Sequence, residues 1–148
     1  MFKKLIQTED EAAMLVARLA LGIVFFPHGA QKLLGWFGGG GFSGTLEFFS
    51  QQLGVPTFLA VLVILAESLG SISLIVGFLS RFCAFGIGMV MLGAVFMLNL
   101  QHGFFMNWSG QAQGEGIEYH ILALGLVLAI LFKGGGKWSI DRLLTERL

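Results

Sequence analysis

The chain has 148 residues, of which 55% are hydrophobic and only 12% charged, with a mean hydropathy of +0.81. So few charges cannot cover a soluble domain of this length, in which about a quarter of residues are charged. Nine basic and nine acidic residues cancel, which leaves no cationic field to recruit nucleic acid.

A hydrocarbon core about 30 Å thick needs about 20 apolar helical residues, and four segments supply them. Lys3 and Lys4 precede the first, but no small-x-small cleavage site follows, so the segment is expected to be retained. Thr8-Glu9-Asp10-Glu11 has the spacing of a capping box, with Thr8 as N-cap and Glu11 at N3. The first span, 12–34, carries Arg18, His28 and Lys32. Pro27 removes the helical donor for the carbonyl of Ile23 and is expected to bend the helix below His28.

After the glycine run Gly38 to Gly41, residues Phe42, Leu46, Phe49 and Leu53 recur at helical spacing, predicting a short amphipathic helix in the interface. The second span, 57–79, holds one charge, Glu67. The third, 82–100, contains the only cysteine, Cys83, and ends at Asn99 with His102 just beyond. A lone cysteine excludes an intrachain disulfide and reads as a small buried hydrophobe. In the loop 101–116, Trp108 fits an interfacial anchor. The fourth span, 117–132, starts beside Glu118. In the tail, Ser139 is placed to cap a short helix over IDRLLTERL, whose Ile140, Leu143 and Leu144 would rest on a membrane surface. The expected fold is an all-α membrane protein: one domain, 1–148, built as a four-transmembrane-helix bundle. A short interfacial helix in the first outer loop and a short amphipathic C-terminal helix complete it.

Basic residues set orientation. Lys3, Lys4, Arg81, Lys133, Lys137, Arg142 and Arg147 lie at the two termini and in the turn between the second and third spans; the other two loops have only Lys32 at an edge. Both termini are therefore expected in the cytoplasm, and in a bacterial inner membrane the two longer loops would face the periplasm.

Charges at membrane depth are costly and are expected to face protein and pair. At 100° per residue, Arg18, Gly22, Phe25, Gly29 and Lys32 form one stripe with His28 at its edge, and the two glycines suit close helix contact. Glu67 sits near mid-span, flanked by Gly70 and Ser71. On the fourth span Glu118 and Gly125 align while His120 points nearly opposite, so Glu118 is expected inward and His120 at the interface. The candidate pocket is thus Arg18, His28, Lys32, Glu67, Asn99, His102 and Glu118, opening outward. The plainest use of these charges is structural, with Arg18 and Lys32 balancing Glu67 and Glu118. A metal held by His28, His102, Glu67 and Glu118 is not favoured, because no two ligands share a metal-binding spacing on one helix. The glycine run lacks the Lys and Ser/Thr of a phosphate-binding loop.

The pattern R-x9-HG-x2-KL (Arg18, His28, Gly29, Lys32, Leu33) resembles the first helix of the DoxX family of small bacterial membrane proteins. LGVP (Leu53 to Pro56), the Glu67 helix, GFLSR (Gly77 to Arg81), GxGIEY (Gly114 to Tyr119) and GGGKWSID (Gly134 to Asp141) follow in the family's order across nearly the whole chain. The resemblance implies a four-helix inner-membrane protein. Some members are linked to oxidoreductase complexes, including a quinone-reducing thiosulfate oxidase, and others to membrane complexes that handle oxidative stress. With Cys83 alone, this chain cannot run thiol-redox chemistry unaided.

The leading expectation is a redox-linked membrane subunit that binds a small hydrophobic ligand, such as a quinone, among these polar residues and the 15 phenylalanines. Lys32 or His28 would hydrogen-bond a quinone carbonyl, and Glu67 or Glu118 would relay a proton. The alternatives are a small proton-coupled exporter, working as a homo-oligomer through Glu67, and a non-catalytic scaffold for membrane or redox partner proteins. No residue set identifies an enzyme class.

Overall fold

Helix-forming apolar runs, punctuated by glycine, account for every element of this computed structural model, which describes residues 2–147. The side chains of Phe2 and Lys3 lie outside that description, and with them the share of Lys3 in the basic flank. In chain order the α-helices are α1 (Phe2–Ile6), α2 (Ala12–Leu34), α3 (Gly41–Glu47), α4 (Thr57–Val76), α5 (Ser80–Ala94), α6 (Glu118–Lys133) and α7 (Ile140–Arg147). Helix α3 runs on into a turn of π-helix, Phe48–Gln52; α5 continues through another, Val95–Asn99, and a 3-10 turn, Leu100–His102. No strand occurs among the described residues.

Three segments are long and apolar enough to cross a bilayer: Ala12–Leu34, Thr57–Val76 and Ser80–His102. The first matches its expected bounds and runs unbroken through Pro27. The second stops three residues early because Gly77 adopts φ 73° and Leu79 φ 48°, left-handed conformations that end the helix. Helix α6 has 16 residues, about 24 Å of rise, so by length three spans qualify where four were expected. The short helix expected after the glycine run is α3 with its π-turn. The tail helix appears as α7, capped by the Ser139 hydroxyl, which accepts the N–H of Arg142; its expected last residue, 148, lies outside the described residues.

The core is drawn from four helices: Leu21 and Phe25 of α2, Leu74 of α4, Ala84, Ile87 and Met91 of α5, and Ala123, Val127 and Ile130 of α6. Large apolar side chains also face outward, Phe132 at 77% and Phe96 at 72% exposure among them. Such a surface suits hydrocarbon and not water. The most extensive interface joins α2 to α4. A Cβ at Gly29 would lie 2.4 Å from the carbonyl oxygen of Glu67, and one at Gly22 would lie 2.9 Å from that of Ser71. Both glycines of the predicted stripe therefore bring two backbones into contact.

At the Arg18 end, polar groups lock the helices together. Arg18 is 1% exposed, and its guanidinium donates five hydrogen bonds, all to backbone carbonyls. Leu74 and Ile75 at the end of α4 take two, and Gly135, Lys137 and Trp138 of the tail take three. Asp141, also 1% exposed, accepts the backbone N–H groups of Leu79 (2.7 Å) and Ser80 (2.8 Å), capping the start of α5. Arg81 donates to the Leu131 and Phe132 carbonyls at the end of α6 and to Gln7 before α2.

The capping-box expectation at Thr8 is corrected here. The residue that caps α2 is Glu11, and no side chain caps it. The Thr8 hydroxyl instead donates to the Lys133 carbonyl (3.1 Å) and accepts the Gly136 N–H (2.8 Å). Local spacing yields because the glycine segment of the tail offers Thr8 partners 125 and 128 residues away. Glu11 pairs with Lys133 at 2.9 Å. That hydrogen bond holds the Glu11 carboxyl below its ordinary value of 4.5 and raises Lys133 above 10.5.

Two outcomes follow for thermal unfolding in detergent. Arg18→Leu removes the guanidinium from five carbonyls, of which that of Leu74 keeps the Gly77 N–H, and is expected to cost at least about 3 kcal/mol; Arg18→Lys should recover little, because an ammonium cannot reproduce the fork. The Glu11–Lys133 pair contributes above the ordinary carboxylate value, and its contribution is lost as pH falls through the lowered one. Lys133→Gln should therefore slightly flatten the acid limb of the Tm–pH profile.

Candidate functional site

Close approach of α2 and α4 at Gly29 places the next turn of α2 beside Glu67. There the Lys32 ammonium donates to Glu67 Oε2 at 2.5 Å, with side-chain exposures of 23% and 4%. It is the one ion pair among the described residues whose carboxylate is buried. His28, one turn before Lys32, is exposed along the edge of α2 and lies within Coulombic reach of both Glu67 and Lys32.

An aromatic run leads from His28 to α6. The His28 and Phe25 rings are 6.0 Å apart, and Phe25 stacks on Tyr119 at 6.4 Å. The Tyr119 hydroxyl and His120 Nδ1 are buried and have no hydrogen-bond partner among the described residues. Tyr119 is the residue that sequence reasoning passed over. Its only signal is a place beside Glu118 in GIEY, since a tyrosine in an apolar helix reads as core.

The structure brings together three of the seven predicted residues: His28, Lys32 and Glu67. Arg18 is 14 positions before Lys32 on α2, about 21 Å along the helix, and its carbonyl cage makes it a structural clamp rather than part of the pocket. Glu118 accepts the Met106 N–H at 3.0 Å and so pins the loop 103–116, and it makes no ion pair among the described residues. Asn99 donates to the Glu115 carbonyl at 2.9 Å. His102 lies exposed against Gly114, where a Cβ would come 2.5 Å from its Nε2. These three anchor the loop that leads into α6.

The orientation of α6 is also a correction. His120, at 6% exposure, is on the buried stripe with Ala123, Val127 and Ile130, while Gly125 is exposed. A two-residue polar signal at the start of the helix is outweighed by three apolar positions packing on α5, where Gly88 leaves room for Val127. As for metals, no group of three or more His, Cys, Asp or Glu side chains among the described residues is placed to hold an ion.

The family model described as DoxX matches residues 13–100. A protein of Escherichia coli (strain K12) named inner membrane protein YqjF is 30% identical over 93% of this chain and 96% of its own length. The uncharacterized membrane protein Rv3486 of Mycobacterium tuberculosis is 30% identical over 97% of this chain and 88% of its own. A protein of Bacillus subtilis named "Putative oxidoreductase CatD" is 29% identical over 66% of this chain and 67% of its own. No solved structure matches.

Removing Lys32 strands the 4%-exposed Glu67 carboxylate, whereas removing Glu67 leaves the Lys32 ammonium part-exposed at 23%. Lys32→Met should cost roughly 3–5 kcal/mol and Glu67→Met less, and the double variant should recover most of the Lys32→Met loss. Unfolding midpoints of the four proteins in one detergent complete this cycle.

Proposed function

The chain belongs to the DoxX family and is an integral membrane protein, and from that premise we propose that it is a redox-linked membrane subunit that binds a small hydrophobic ligand, a quinone, at the Lys32–Glu67 pair. Helix α6 is read as a fourth, short span, with the basic flanks and both termini on the cytoplasmic side of a bacterial inner membrane. Lys32 and His28 then lie in the outer half of the bundle.

One observation carries this reading: a 2.5 Å ion pair with a 4%-exposed carboxylate, at a depth where charge is costly and is kept for use. His28 beside it supplies a second titratable group. In this site Lys32 Nζ would donate to a quinone carbonyl oxygen, with the Glu67 carboxylate as the neighbouring proton acceptor. The name of the Bacillus relative points to the same class of chemistry.

The Lys32→Met/Glu67→Met protein separates a structural pair from a functional one, because it is expected to fold. Titrated with ubiquinone-1 in detergent, the wild type should bind and the double variant should not. His28→Ala should bind roughly tenfold more weakly, the loss of about one hydrogen bond to a charged or polar partner. Equal binding by all three proteins would sink the reading. Alkaline phosphatase fused after residue 110 should be active, and fused after residue 147 inactive.

A further inference from the structure

Beside the ion pair, a groove of about 400 Å3 runs between the Lys32 end of α2 and the α3 segment, lined by Gln31, Lys32, Gly40, Gly44, Phe48 and Phe49. Its volume is in the range of small-molecule sites, ~300–1,000 Å3. Three features give it a polar head and an apolar body. Lys32 lines it, and its ammonium has three donors, of which one goes to Glu67 among the described residues. On α3, Gly44 leaves open space where a Cβ would stand. Phe48 and Phe49, their rings 6.0 Å apart and edge to face, sit in a turn of π-helix, a local distortion that recurs at functional sites. The Thr45 hydroxyl donates to the Lys32 carbonyl at 3.2 Å, so α3 is tied over the same turn of α2 that carries the amine.

We propose that this groove is where the quinone lies. Its ring rests between the Gly40–Gly44 face and the phenylalanines, and one carbonyl oxygen accepts from Lys32 Nζ. The ligand enters beneath α3. The proposal rests on the quinone reading above and adds the wall, the route and the residues that set what fits. A single ring with a short chain is accommodated; a ring with bulk on both edges meets Phe48 on one side and α2 on the other.

The test fills the groove without touching the ion pair. Gly44→Leu adds a side chain where nothing stands within 4 Å, so the protein should unfold at the wild-type temperature. Ubiquinone-1 should bind it on the order of tenfold more weakly. Phe48→Ala, at a half-exposed position, should also weaken binding. Gly93→Leu on α5, where a Cβ meets equally open space, should bind like wild type. If Gly44→Leu does not fold, Phe48→Ala decides. Should both variants bind ubiquinone-1 like wild type while Lys32→Met/Glu67→Met does not, the groove is overturned and the quinone reading stands. Should the wild type itself fail to bind, both fall.

Discussion

A backbone carbonyl in hydrocarbon must find a donor inside the protein, because no water is there to supply one. The end of α4 is where this chain meets that constraint most sharply. Helix α4 finishes at Gly77 with the carbonyls of Leu74 and Ile75 turned toward the interior, and Arg18 meets them with a guanidinium whose five donors are all used. The remaining donors go to the tail, which in turn sends Asp141 to the first N–H groups of α5. One buried cation thus completes a helix C-terminus, and one buried anion completes a helix N-terminus. Each sign matches the partial charge at the helix end it serves.

From that fixed end the rest of the site is a matter of distance. Gly22 and Gly29 let α2 and α4 touch along two turns, and one turn further on Lys32 meets Glu67. The same stripe that begins in a clamp ends in an ion pair about 21 Å away. Residues alike in type are therefore unlike in use. Arg18 spends every donor on backbone, whereas Lys32 gives one among the described residues and lines an open groove. Rigidity at one end and unspent hydrogen-bonding capacity at the other are what a membrane binding site requires.

Helical periodicity made much of this legible before any coordinates. The bounds of α2, the stripe of Arg18, Gly22, Gly29 and Lys32, the cap at Ser139 and the short α3 helix all follow from local spacing, and local spacing governs helices. What periodicity could not supply was the partner across space. Thr8 has the spacing of a capping box, yet its hydroxyl serves the tail. Arg18 was assigned to carboxylates because charge counting has no place for backbone carbonyls. The face of α6 was misjudged for a related reason: Glu118 was counted as a buried charge when its task is to hold the Met106 N–H of a loop. Tyr119 escaped notice because nothing in a sequence marks a hydroxyl that will end buried without a partner.

The Arg18 clamp also has a consequence in time. Its carbonyl partners on α4 are 56 and 57 residues downstream, and those in the tail are 117 to 120 residues downstream. At synthesis rates of about 5–20 residues per second, Arg18 emerges on the order of ten seconds before the last carbonyl that it will hold. During that interval the guanidinium sits near the first helix's leading end with two partners or none. The ribosome therefore delivers the protein with its least membrane-compatible side chain exposed first and satisfied last. The segment Gly135 to Trp138 supplies the last of those partners, after all the longer helices have been made.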